Sequence, residues 1–316
     1  MSGHVWPQRD GIIECLVKWG AEVTQVGSGC WIFPVANGRS VPVTARLADD
    51  FLLLDAPGER VESPKILQAL LAAGDTLPGA CKFVLLPAQC RVHLRAEIVC
   101  DEATDFSARV RETLDGFRAA CDALHDFGSC ECAGAKRAIR PASSAQTAPD
   151  AMVQALEESG WKFSEREDGS VAVELETPGD FHQALLEPNG GGVRLTLDLS
   201  HAAGVTLAAR QALSALLLIA NGAVRLVRGF LEHRDGELVA GFRVGYDSAA
   251  GERELEHALS ALSVAGRLCA REAKILHDEP TARLFLAVYK LGRTTNRKES
   301  NHGKVANHAG YLAQGE

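Results

Sequence analysis

Aromatic residues are scarce in this chain: Phe, Trp and Tyr make up 6% of its 316 residues. Surfaces that stack bases need exposed rings, so no such platform is expected. Basic charge is also short. Lys and Arg number 33 against 41 Asp and Glu, a formal net charge of −8, the wrong sign for non-specific binding to phosphate backbones. Nor is there an apolar run long enough for a bilayer. The greasiest stretch, Leu207–Ala220 (LAARQALSALLLIA), is interrupted by Arg210, Gln211 and Ser214, where a span needs about 20 mostly apolar residues. The opening MSGHVWPQRDG has no basic stretch leading into an apolar core, so no signal peptide is expected.

Catalytic signatures are missing too. Ser40, Ser63, Ser143, His182 and the pair Ser200-His201 invite a hydrolase reading, but there is no Gly-x-Ser-x-Gly elbow and no acid spaced to orient an imidazole. The glycines of Asn189–Gly192 (NGGG) precede a strand pattern, whereas a phosphate loop leads into a helix N-terminus; a hairpin turn is the plainer reading. Nine cysteines are scattered, several inside apolar segments. An odd count in a chain too large to need stapling fits a reduced, cytoplasmic setting. Cys121, His125, Cys130 and Cys132 form the best metal candidate, since thiolates and imidazoles suit zinc. The paired Cys-x2–4-Cys spacing is absent, however, and Cys130-x-Cys132 lacks the helix N-terminus that would lower a thiol pKa. No metal and no cofactor is expected.

What is present is 46% hydrophobic and 23% charged residues, enough for two cores. Asp10–Gly20 reads as an amphipathic helix with Ile12, Ile13, Leu16 and Val17 on one face. Strands follow at Ala21–Val26, Cys30–Val35, Ser40–Leu47 and Phe51–Asp55, then a short helix from Pro64 to Ala73. Cys81–Leu86 and Arg91–Val99 make a hairpin. A long helix runs from Thr104 to about Phe127, with Val110, Leu114, Phe117, Cys121 and Leu124 inward. Residues 128–149, rich in Ala, Ser, Gly and Pro, read as a linker.

After the linker the order begins again. A shift of 140 carries Ile12, Ile13, Leu16 and Gly20 onto Met152, Val153, Leu156 and Gly160. A shift of 143 carries Ala69-Leu70 onto Ala212-Leu213, and one of 145 carries Val110, Leu114 and Phe117 onto Leu255, Leu259 and Leu262. The shifts only grow, and each step falls in a loop, as duplication with small insertions would leave them. Each half therefore reads α-β-β-β-α-β-β-α, five-stranded at most, an antiparallel sheet with helices on one face. The last hairpin, Val224–Glu232 and Glu237–Tyr246, turns at Asp235-Gly236. The expected units are 1–127, the linker 128–149, 150–278, and a final segment 279–316. In that segment a helix over Pro280–Leu291 docks by Leu284, Phe285 and Val288, ahead of a polar tail.

This order, with Trp19-Gly20 closing the first helix, Gly160-Trp161 closing its counterpart, and the short strands CWIFPV and SVAVEL, resembles the type III secretion chaperone-like fold, to which the bacterial sensory-transduction regulator family is similar. The resemblance covers about 10–127 and 150–275. It implies small α+β domains that pair across their second helix and adjacent strands, and protein binding without catalysis. The secretion chaperones are single short domains, whereas this chain carries two copies in tandem.

The expected function is a non-catalytic module that binds a partner polypeptide, with no nucleic acid and no membrane. It would be a monomer whose halves pack as an internal pseudo-dimer, or else a homodimer. A small-molecule binder or enzyme with a pocket between the halves is the alternative. The helix at Leu207–Ala220, apolar nearly all round, must be covered on more than one side, so the expected interface comprises Leu213, Leu216, Leu217, Ile219, Ile66 and Leu70. Trp19, Trp31 and Trp161 are candidate anchors for a partner, as aromatics often are, or simply core. Glu157, Glu158, Glu165, Glu167 and Asp168 read as a solvated acidic face, and the basic cluster Arg293–Lys298 as a solvated tail.

Overall fold

A computed structural model describes residues 9–19, 22–37, 39–100, 105–126, 149–177, 180–189, 191–289 and 291. The first half runs α1 (Arg9–Lys18), β1 (Thr24–Gly27), β2 (Cys30–Asn37), β3 (Arg39–Ala48), β4 (Phe51–Arg60), α2 (Lys65–Asp75), β5 (Lys82–Leu86), β6 (Arg91–Val99) and α3 (Phe106–Asp126). The second runs α4 (Pro149–Glu158), β7 (Phe163–Glu165), β8 (Val171–Thr177), β9 (Asp180–Asn189), β10 (Gly192–Ala202), α5 (Leu207–Ala223), β11 (Arg228–Arg234), β12 (Glu237–Tyr246), α6 (Glu252–Ile275) and α7 (Glu279–Val288). The linker over 128–148, with Ser143, Cys130 and Cys132, lies outside the described residues, as do the tail from 292 onward and its cluster Arg293–Lys298.

The fold is α+β, with two antiparallel six-stranded sheets. Their orders are β1-β2-β3-β4-β6-β5 and β7-β8-β9-β10-β12-β11, so each strand of one sheet has a counterpart at the same place in the other. The expectation of five strands at most is corrected to six. Four strands precede the second helix in each half: β1, expected as a strand over Ala21–Val26 but left out of the three-strand order, pairs with β2, and the short β7 pairs with β8.

Each sheet carries its closing helix on one face: α3 against β2, β3, β4 and β6, and α6 against β8, β9, β10 and β12. The expected inward residues Val110, Leu114, Phe117 and Cys121 are buried there, as are Leu255, Leu259 and Leu262. The side chains of Leu124 and His125 lie outside the described set. At β5 the one-faced arrangement fails. Successive strand side chains point to opposite faces, yet Lys82, Phe83, Val84 and Leu85 are all buried. Phe83 meets Gly74 of α2, while Val84 meets Gly222 of α5, from the other half.

Two further boundaries differ from expectation. The last hairpin starts at Arg228, not Val224, because Val224 and Leu226 give their backbone groups to the first half, as described below. The helix α7 docks by Ala282 and Leu286, with Leu284 and Val288 about two-thirds exposed. Thr206 starts α5 by accepting a hydrogen bond from the Ala209 amide at 3.3 Å, and Asp278 does the same for α7 through Thr281 at 3.0 Å. Among the described residues no helix is long and apolar enough to cross a membrane.

Candidate interaction surface

The buried helix α5 touches α2 and β5 of the first half, and β11, β12, α6 and α7 of its own. Leu213, Leu216, Leu217 and Leu70 are buried, and Ile66 and Ile219 are partly buried against the same core. The six interface residues expected from sequence are thus taken up in packing within the chain.

Polar groups fix the geometry of this packing. Asn221, 2% exposed on α5, donates through Nδ2 to the Phe83 carbonyl of β5 at 2.9 Å, and its Oδ1 accepts the Gly229 amide of β11 at 2.7 Å. Both strands are sheet edges, and an unpaired buried edge group is costly, so one amide closes an edge in each sheet. Lys82 and Glu97 form a fully buried ion pair at 2.9 Å. Lys82 also donates to the Val224 carbonyl at 2.9 Å, and Glu97 accepts the Leu226 amide at 3.3 Å. Burial drives the Lys82 ammonium below its usual pKa, against the pull of Glu97. Arg228 reaches back to the carbonyls of Gly74 and Leu77, and burial lowers its pKa as well. Arg243 meets Asp75 at 2.7 Å.

Nearby, Arg109 of α3 binds Glu254 of α6 with two bonds, at 2.7 and 3.0 Å, and stacks over the Tyr246 ring. Burial works against the guanidinium's charge, but Glu254 and Glu112 outweigh it and raise its pKa. Residues of both halves line a cavity here of only about 10 Å³, room for about one water.

The larger concavity lies elsewhere. An open groove of about 440 Å³ is lined by Pro64 ahead of α2, Leu207, Ala208 and Gln211 of α5, and Glu279, Arg283, Leu286, Ala287 and Leu291 in and after α7. Its walls are mostly apolar, Leu207 is 58% exposed, and Glu279 pairs with Arg283 at the rim. Gln211 is 8% exposed. Its amide has no hydrogen bond within the described residues, so its donor and acceptor are free to serve an occupant.

Residues 148–269 match the model of the YbjN family, described as "Putative bacterial sensory transduction regulator". No curated protein and no solved structure matches the chain. The YbjN match takes in α4 through most of α6 and so supplies the α5 wall of the groove. Pro64 and α7, the other walls, fall outside it.

The remaining candidates are placed as follows. Trp31 is fully buried and has no surface to offer a partner, which corrects its reading as an anchor. Trp19 is partly buried, donates to Ser107 at 3.2 Å and lies beneath Lys18 and Arg111. Trp161 packs against the core edge. Ser200 is buried and His201 exposed, as expected of neighbours in a strand, so the two side chains point away from each other. Asn189 and Gly192 flank the β9–β10 hairpin turn. Among the described residues no group of three or more His, Cys, Asp or Glu is arranged to hold a metal, and none of the seven described cysteines, Cys121 included, is in a disulfide. The acidic residues Glu157 to Asp168 are solvent-facing. Sequence reasoning missed Lys82, Glu97, Asn221 and Gln211. A polar residue inside an apolar run was the available signal for the last two.

Proposed function

We propose that this chain is a non-catalytic protein-binding module of the regulator type. Its two similar units pair as an internal pseudo-dimer, and the α5–α7 groove receives a segment of a partner polypeptide. The observation that carries the reading is the groove itself, an apolar concavity of about 440 Å³ open to solvent, with the amide of Gln211, a residue 8% exposed, on its wall and without a hydrogen bond within the described residues. An aliphatic side chain fills such a groove, and the adjoining peptide group meets the amide. The match of 148–269 to a regulator family and the resemblance to secretion chaperones support protein binding in the cytoplasm.

The test compares proteins that co-purify with the full chain and with its Ala287→Arg variant from the native cell. A partner recovered with the parent and lost with the variant, at an unchanged thermal midpoint, is the expected result. Equal recovery from both overturns the groove as the binding site. A thermal-shift screen with metals, nucleotides and acyl compounds provides the opposing arm: a shift of several degrees by any of them would favour a small-molecule ligand.

A further inference from the structure

The shift of 145 that relates α3 to α6 carries Arg109 onto Glu254. These two equivalent residues touch each other, the guanidinium Nε at 2.7 Å from one carboxylate oxygen and NH2 at 3.0 Å from the other. Both are buried, at 6% and 1% exposure. Equivalent positions meet face to face only when two similar bodies are related by a two-fold axis passing between them. Other contacts obey the same relation. Lys82, the first residue of β5, donates to the carbonyl just beyond α5, and Arg228, the first residue of β11, donates to carbonyls at the end of α2.

A pair of first halves meeting in this way would bury Arg109 against Arg109, and a pair of second halves would bury Glu254 against Glu254. The second arrangement buries two carboxylates with no counter-ion, and the first sets two guanidiniums against each other with only the Glu112 of each one's own helix to offset them, so both are disfavoured against the mixed pairing. Glu112, Ser248 and the Ala249 carbonyl hold the guanidinium in place and offer no second cation to a facing carboxylate. We infer that the Arg109–Glu254 pair is the specificity element of this face, and that its partner is the opposite half, either of the same chain or of a second copy exchanging halves.

The test uses the full chain with Arg109→Glu, with Glu254→Arg, and with both. Each single variant places like charges on the axis in every possible pairing, and its thermal midpoint falls by about 5–10 °C. The double variant recovers a large part of that loss. Exchange gives the sharper readout. When the two single variants are co-expressed with different tags, the carboxylate introduced at position 109 of one chain can meet the guanidinium introduced at position 254 of the other. The unchanged Arg109 and Glu254 can meet in the same dimer. A mixed dimer of twice the chain mass is then expected by light scattering. Two tagged copies of the same single variant give none. If the singles do not accumulate alone, soluble protein appears only on co-expressing the complementary pair. Singles as stable as the parent, a double no better than the worse single, or mixed dimers formed equally by identical copies would each overturn the inference.

Discussion

Lys82 and Arg228 make the same contact in opposite directions. Each opens the edge strand of its own sheet and sends its cation to backbone carbonyls at the end of the other half's second helix. Carbonyls there lack helical partners, and the negative end of a helix favours a cation. The two helices α2 and α5 are therefore stopped and held by the opposite half, and the face that packs them together is also the face that ends them.

The Lys82 side of this exchange predicts a strong asymmetry between single and paired substitutions. Lys82→Met leaves the Glu97 carboxylate buried without its cation, so denaturant unfolding of the full chain should show a loss of about 3–5 kcal/mol. Lys82→Met with Glu97→Leu removes both charges and should recover much of it, the residue of the loss coming from the orphaned Val224 carbonyl and Leu226 amide. Equal losses from single and double variants would show that the pair's charge is not what the site requires.

Asn221 predicts a different signature, because it joins two edges. Asn221→Ala removes its bonds to the Phe83 carbonyl and the Gly229 amide, two buried groups at about 1–3 kcal/mol each, so a loss of about 2–6 kcal/mol is expected. Hydrogen exchange should locate it. The Gly229 amide loses protection, while amides central to β3 and β9, far from the seam, keep theirs. Uniform loss of protection across both sheets would contradict a local role.

Much of this is legible from residue spacing, and the reasons are physical. The turn at Asp235-Gly236 is visible because both residues adopt positive φ, 50° and 85°, which few residue pairs allow. The burial of α5 follows from an apolar surface that runs all the way round, and the register of α3 against α6 from a single shift. The edge strand β7 escapes a count from sequence because three residues carry too little periodicity to be told from a loop, whereas β1 is read as a strand over Ala21–Val26 and only left out of the repeated order. The groove is illegible because Pro64, Gln211 and Leu286 are brought together only by the packing of three separated segments. The face of α7 misleads because Leu284 and Val288 look like core, and only the tertiary contact shows that smaller Ala282 sits inward with Leu286.

Gly222 sets the distance between the halves. A Cβ there would lie 2.6 Å from Val84 Cγ1, closer than packed atoms tolerate, and Val84 is itself fully buried. Gly222→Ala should therefore destabilise by about 1–3 kcal/mol through overpacking, despite alanine's better helix propensity. Val84→Ala should suppress it, the double variant lying closer to the parent than additivity of the two singles gives. Strict additivity in thermal or denaturant unfolding would mean that α5 shifts away from β5 rather than pressing on it.

His277 supplies the pH dependence. It sits in the turn between α6 and α7, and both ring nitrogens are buried without a hydrogen-bond partner. Burial lowers its pKa from the ordinary 6.5, so between that lowered value and 6.5 the unfolded chain holds a proton that the folded chain does not. Stability then rises with pH across this window and is lost as pH falls through it. The group favours folding fully only above about 6.5, and protonation in the native state would leave an imidazolium with no acceptor. His277→Leu should flatten that part of the profile while leaving the lower acid limb. There burial raises the Asp55 pKa, but the bonds and charges of His93 and Arg95 hold it below the ordinary 3.8. Thermal midpoints of parent and variant measured from pH 7.5 down to 5.5 check this. The two curves should converge at the upper end and separate at the lower, with the variant the more stable, and parallel curves would assign the pH dependence to another group.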